Sequence, residues 1–165
     1  MGKARQIIVL ALAVCYFLPR PECLTAMVWP AHIVHHFFHA NVFHFAVNAV
    51  AIWAVLDERM RPPKWLLPVA FFLGSYSYCF ALKPVIGFSN ILYAMMGLRT
   101  PYLRSAWWKQ PNVLVFLAVM LIMVFIPQFS ATTHIASFVM GAIVAGIIRF
   151  YKALDNDARR ATGDK

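Results

Sequence analysis

The chain alternates between apolar runs and short polar segments, and this alternation restricts its fold more than any other feature. Apolar runs of about 17 to 25 residues are long enough to cross a bilayer as helices. The segments "RPE", "DERMRPPK" and "PQFSATT" contain charges or prolines that end such helices. The sequence therefore predicts an all-α, polytopic membrane protein with six transmembrane helices. The predicted spans cover about residues 6–19, 40–57, 65–82, 89–103, 112–127 and 132–152.

These spans form one predicted membrane domain, residues 1–155, followed by a polar cytoplasmic tail, residues 156–165. The fourth run is short for a full crossing, so we expect its helix to begin below the membrane surface. The apolar start of the chain follows a basic segment, as in a signal peptide. Val14 before Cys15 makes a poor lipoprotein site, and we interpret this segment as an uncleaved first transmembrane helix.

The composition supports a membrane protein over a soluble one. Hydrophobic residues make up 62% of the chain and charged residues only 13%, whereas soluble domains are about half apolar and a quarter charged. The net charge of +9 would suggest nucleic acid in a soluble protein. No basic stripe interleaved with aromatic residues is present, so no nucleic-acid partner is expected. Three cysteines without metal-type spacing imply no disulfide framework.

The basic residues also predict the orientation of the chain. If the N-terminus is cytoplasmic and there are six crossings, 13 of the 15 Lys and Arg residues lie on the inside. Only Arg20 and Lys83 then lie on the outside. Cytoplasmic loops of membrane proteins carry such an excess of Lys and Arg. We therefore expect an integral protein of a bacterial inner membrane, with both termini in the cytoplasm.

In this topology, polar residues from three predicted spans meet at one depth near the outer surface. His39, His44 and Asn48 lie in the outer half of the second span, Ser89 begins the fourth, and His134 lies near the outer end of the sixth. Polar groups inside a bilayer are costly and usually face a bundle interior or a cavity. The convergence predicts a functional site that opens to the outer side.

Each of these residues has a structural and a catalytic interpretation. Ser89 follows a glycine-containing turn and is either a helix N-cap or a nucleophile. His134 is either a hydrogen-bonding group between helices or the base that activates Ser89. His44 and Asn48 are four residues apart on one helix face, either as polar links between helices or as donors to an oxyanion.

Three segments closely resemble the signature segments of the rhomboid intramembrane serine proteases. They are "HANVFHFAVN", "GFSNILYAMMG" and "HIASFVMG", which occur in this order on the second, fourth and sixth predicted helices. The resemblance covers essentially the whole chain and matches the minimal six-helix bacterial form. It implies an intramembrane endopeptidase that cleaves transmembrane protein substrates in the lipid bilayer, with no metal or other cofactor.

The resemblance also implies roles for individual residues. Ser89 and His134 would form a catalytic dyad without an acidic third member. The side chains of His44 and Asn48 would join the Ser89 backbone N–H in the oxyanion hole. His39 would be structural.

Further residues match the packing positions of the family. Tyr93 would pack against His134. Gly87, Gly97, Ser137 and Gly141 would supply small residues for close packing of the helices.

Two alternatives remain open in the sequence. Asn90 stands where the family usually has glycine, which is compatible with a catalytically inactive rhomboid-like protein that binds membrane helices. His32, His35, His36 and His39 would share one face if their segment were helical, as in a metal or haem protein. We otherwise expect His32, His35 and His36 to lie in a wet interfacial loop.

Overall fold

The fold is known from a computed structural model, which describes residues 2–56, 63–100 and 130–162 together with residues 114, 118, 121, 122 and 125. All regular structure in these residues is helical. Most of the predicted fifth span lies outside the described residues, as do residues 57–62 and 101–113, which include most of the two predicted inner loops, and residues 163–165. Several basic residues that predict the orientation belong to these segments.

Helices occupy the other five predicted spans. They are α1 (Gly2–Tyr16), α4 (Val42–Val55), α5 (Leu66–Tyr76), α6 (Ser89–Arg99) and α7 (Ala131–Thr162). The predicted outer loop between the first two spans contains two short helices, α2 (Cys23–Ala26) and α3 (Ala31–Val34). A 3₁₀ turn at His35–Phe37 follows α3, and a second one at Ser77–Phe80 extends α5. Apart from the end of α7, the helix boundaries differ from the predicted spans by a few residues.

Helix length separates α7 from the other described helices. Within the described ranges, only Ala131–Asp157 is long and apolar enough to cross a membrane by itself, with a mean hydropathy of 1.8. The segments Ala31–Phe37 and Val42–Val55 pass the same test together, but they are bent by 91° relative to each other. Six crossings therefore stay a prediction.

Helix α6 is the centre of the bundle, since every residue from Ser89 to Arg99 is buried. Helices α4, α5 and α7 pack around it, and α1 packs against α4. A side chain on Gly97 would overlap the carbonyl oxygen of Phe138, and one on Gly141 would overlap that of Ala94. The backbones of α6 and α7 thus touch at these glycines, as small residues allow in membrane proteins. This contact fixes the position of α6 relative to α7.

Helix α7 continues beyond the predicted sixth span and through most of the polar tail. Arg159 lies 3.1 Å from Asp155, and Arg160 lies 4.0 Å from Asp157, both on the exposed surface. Ion pairs three and four residues apart support an isolated helix by about 0.2–0.5 kcal/mol each. The polar tail is helical to Thr162.

Candidate active site

Ser89 is the first residue of α6, and the turn before it requires a glycine. Gly87 has a φ angle of 119°, a conformation that residues with a side chain rarely adopt. A Cβ atom at this position would also lie only 2.6 Å from Cε1 of His44. Phe88, and not Ser89, occupies the N-cap position. The interpretation of Ser89 as a helix cap is therefore wrong, and its hydroxyl is available for another contact.

That contact is with His134 on α7. Ser89 Oγ lies 2.8 Å from His134 Nε2, although 45 residues separate them in the chain. Both side chains are buried, with 5% and 1% of their surface exposed. The ring of Tyr93 stacks on the imidazole, with centroids 4.5 Å apart and planes inclined by 12°. The structure thus brings together the three residues that the sequence placed on two distant helices.

The other ring nitrogen of His134 has a different environment. Nδ1 is buried and has no hydrogen-bond partner in the described part of the chain. The orientation of the ring therefore depends on the contact with Ser89 and on the stack with Tyr93. A neutral imidazole that accepts a proton at Nε2 carries its own proton at Nδ1.

A cavity of about 350 Å³ gives access to this pair. It lies between the beginnings of α4, α6 and α7 and the chain segment that precedes Gly87. Ser89, His134 and His44 line it, together with Asn41 and Ser130. A hydroxyl and two imidazole rings therefore face one space that a small group could enter.

The beginning of α4 orients the imidazole of His44. The side chain of Asn41 caps the helix by accepting a hydrogen bond from the His44 backbone N–H at 2.9 Å. The backbone N–H of Ala40 points to Nδ1 of His44 at 3.5 Å, the outer limit of a hydrogen bond. An acceptor role for Nδ1 leaves the proton on Nε2, which is the nitrogen beside Gly87. His44 can therefore donate from Nε2.

Asn48 and His39 support His44 and do not line the cavity themselves. The Asn48 amide is buried and donates to the carbonyl oxygen of His44 at 2.9 Å. The His39 ring meets the His44 ring edge to face at 5.2 Å. Arg20 donates to the carbonyl oxygens of His39 at 3.1 Å and Ala40 at 2.9 Å, which ties the segment before α4 to the end of α1.

Comparison with known protein families identifies the family of the chain. The family model described as the rhomboid domain matches residues 25–151. The chain belongs to the rhomboid family. A search of curated proteins finds no match to it. The family assignment makes the chain a membrane-embedded protein, and the matched segment includes every residue of the cavity described above.

The rhomboid domain differs from the sequence-based expectation at His35 and His36. Both side chains are fully buried, so their assignment to a wet interfacial loop is wrong. His35 Nδ1 donates to the carbonyl oxygen of Ala31 at 2.7 Å, and His36 Nε2 lies 3.0 Å from Ser75 Oγ. Burial lowers the pKa of His35 to about 4, so the ring is neutral at physiological pH. Only His32 of this group stays partly exposed.

The metal or haem alternative required the four histidines to share a helical face. Helix α3 ends at Val34, and the 3₁₀ turn that follows changes the direction of the side chains. In the ranges that the structure describes, no three side chains of His, Cys, Asp or Glu are grouped as metal ligands. The rings of His32 and His35 both contact Tyr78, with centroids 5.0 and 4.6 Å from it, whereas the His39 ring contacts His44.

Three polar residues of this region were not predicted from the sequence. Asn41 and Ser130 line the cavity, and each stands directly before or near the start of a helix. The preference of Asn and Ser for helix N-termini could have located them. No local pattern indicates the contact of Arg20 with the segment before α4, because it joins residues 19 and 20 positions apart.

Proposed function

We propose that this protein is an intramembrane serine endopeptidase that cleaves transmembrane segments of other membrane proteins. The observation that carries the proposal is the 2.8 Å contact between Ser89 Oγ and His134 Nε2, two buried side chains that line one cavity. A hydroxyl becomes a good nucleophile when a neighbouring base accepts its proton. Rhomboid-family proteins are in general serine proteases of this kind.

In the proposed reaction, His134 accepts the Ser89 proton at Nε2 while Oγ attacks the carbonyl carbon of the scissile peptide bond. The tetrahedral intermediate carries a negative oxygen. His134 then gives the proton to the departing amine, and the acyl group stays on Oγ. A water molecule, activated by the same imidazole, hydrolyses the ester and restores Ser89.

Donors for the negative oxygen are available beside Ser89. The backbone N–H of Ser89 belongs to the first turn of α6, where no intrahelical carbonyl can accept it. His44 can add its Nε2–H on the same wall of the cavity. The Asn48 amide uses one N–H on the His44 carbonyl and retains a second one. We assign His44 as a direct donor and Asn48 as its close support.

The proposed substrates are transmembrane helices that unwind locally at the cavity. A volume of about 350 Å³ accepts a peptide segment with a small side chain but not a whole helix, which is about 10–12 Å wide. The orientation predicted from the basic residues places this cavity toward the outer side, where water can reach it.

Asn90 gives little support to the inactive alternative. Its side chain is fully buried and contacts His35, so it does not extend into the cavity. The glycine contacts between α6 and α7 are formed in its presence. The dyad distance is that of a normal hydrogen bond.

The direct test is reaction of the purified full-length protein with a fluorophosphonate probe, together with cleavage of a transmembrane reporter in liposomes. We expect labelling and cleavage in the wild-type protein and neither in Ser89→Ala or His134→Ala. Ser77→Ala is the matched control, because Ser77 is equally buried but donates to the carbonyl oxygen of Gly74. An unlabelled wild-type protein, or labelling that persists in Ser89→Ala, contradicts the proposal.

A further inference from the structure

Asn90, the residue directly after Ser89, has a specific partner in the segment before α4. Its side chain is fully buried, and Nδ2 lies 3.3 Å from Nε2 of His35. The two residues are 55 positions apart in the chain. A buried amide with a side-chain partner this distant links two separate elements of the fold.

The other contacts of His35 determine which atom donates. Nδ1 lies 2.7 Å from the carbonyl oxygen of Ala31, which can only accept, so Nδ1 carries the proton. The neutral ring then presents a lone pair at Nε2, and the Asn90 N–H donates to it. The low pKa of His35 keeps this arrangement at physiological pH. Each polar atom of the imidazole therefore has one defined role.

The backbone of His35 makes a third contact, on the other side of Ser89. Its carbonyl oxygen accepts the N–H of Gly87 at 2.8 Å. Gly87 precedes Ser89 by two residues and Asn90 follows it by one. His35 is therefore bonded to both sides of the turn that carries the serine hydroxyl.

We propose that His35 and Asn90 form a positioning pair that fixes Ser89 Oγ at hydrogen-bonding distance from His134. The pair acts through the backbone and contacts neither the substrate nor the reacting atoms. In this proposal Asn90, which stands where the family usually has glycine, helps to position Ser89. The catalytic consequence of the pair rests on the proposed protease function, whereas the hydrogen bond itself does not.

The first experiment tests the contributions of the two ring nitrogens of His35 separately, by substitution. The terminal atoms of glutamine can replace Nε2 of histidine, and those of asparagine can replace Nδ1. His35→Gln should keep the contact with Asn90, and His35→Asn should lose it. We expect the fluorophosphonate labelling rate of Ser89 to fall by about tenfold in His35→Asn and by no more than about threefold in His35→Gln, since one hydrogen bond contributes on the order of a factor of ten.

The second experiment measures coupling. Asn90→Ala removes the partner and should lower the labelling rate about as much as His35→Asn. Because both remove the same contact, the double variant should be no slower than either single variant by more than about twofold. Ser77→Ala is the control, because Ser77 is fully buried and its hydroxyl donates to the carbonyl oxygen of Gly74. When the control substitution is combined with Asn90→Ala, the fold reduction in labelling rate should equal the product of the two single reductions.

A third measurement does not depend on activity. The ¹⁵N chemical shifts of the His35 ring in detergent-solubilised protein should report a protonated Nδ1 and an accepting Nε2. Asn90→Ala should shift the Nε2 resonance of His35, because it removes the N–H that this nitrogen accepts.

The outcomes separate the two proposals. An unlabelled wild-type protein overturns the protease assignment, and the ring shifts still test the pair. Labelling of His35→Asn at the wild-type rate, multiplicative effects of His35→Asn and Asn90→Ala, or an Nε2 resonance insensitive to Asn90→Ala overturns the positioning pair.

Discussion

The ring of Tyr93 lies almost parallel to the ring of His134, with centroids 4.5 Å apart and planes inclined by 12°. Tyr93 is one helical turn after Ser89 on α6, so one helix supplies both the proposed nucleophile and the surface on which the base rests. Since Nδ1 of His134 has no partner among the described residues, this stack is the main restraint on the tilt of the imidazole.

Removing the stack should therefore impair the proposed dyad. Aromatic pairs contribute about 0.5–1.5 kcal/mol beyond their buried area. We expect Tyr93→Ala to lower the cleavage rate of a transmembrane reporter by roughly tenfold, in keeping with the upper end of that range. Tyr93→Phe should stay within about threefold of wild type, because it keeps the ring. Equal rates for the two variants would show that the ring does not orient His134.

His44 and Asn48 should differ in their effects on catalysis. Loss of one oxyanion donor lowers kcat by about a hundredfold to a thousandfold. We expect His44→Ala to show such a loss with little change in KM. Asn48→Ala should lower kcat by less, since Asn48 donates to the His44 carbonyl oxygen and does not line the cavity. Steady-state kinetics on a reporter substrate tests this order. A larger loss of kcat in Asn48→Ala than in His44→Ala contradicts it.

The contact between α6 and α7 predicts different stability effects for two glycines. A Cβ atom on Gly97 would overlap the backbone of Phe138, whereas one on Gly146 would meet no atom within 4 Å. We expect Gly97→Ala to lower the free energy of unfolding by about 1–3 kcal/mol. Gly146→Ala should be neutral or stabilising by up to about 1 kcal/mol, because alanine favours the helix. Thermal unfolding in detergent measures both, and equal melting temperatures would contradict the close approach of the helices.

The predicted orientation can be tested with the natural thiols. Cys79 is exposed at the end of α5, which the positive-inside rule places on the outer side, whereas Cys15 and Cys23 are partly buried. With Cys15 and Cys23 replaced by serine, a membrane-impermeant maleimide should label Cys79 in intact cells. Lys64→Cys in a background without other cysteines is the control, because Lys64 is exposed on the predicted inner side. Labelling of Lys64→Cys but not of Cys79 in intact cells would reverse the orientation.

Much of the site was predictable because its residues occur in short local patterns. The four-residue spacing of His44 and Asn48 sets them on one face of α4, and the turn before Ser89 was indicated by Gly87. His39, predicted in the same span, lies in the segment before α4. The small-residue face of α7, with Ser137 and Gly141, likewise follows from helical periodicity. The exposure of His35 and His36 was predicted wrongly, since a polar segment between two apolar runs looks solvated when nothing indicates what packs on it.

The sequence by itself determined the helical character of the chain, its family, and which residues are candidates for the dyad. Periodicity and short spacings encode these properties, because they depend on residues within a few turns of each other. Only the tertiary structure decided the 2.8 Å approach of Ser89 to His134, the support of His44 by Asn48 and the bond between Asn90 and His35. The first and last of these join residues 45 and 55 positions apart. The first distance depends on the close packing of α6 and α7 at Gly97 and Gly141, and the last on where the 3₁₀ turn at His35–Phe37 packs against the start of α6.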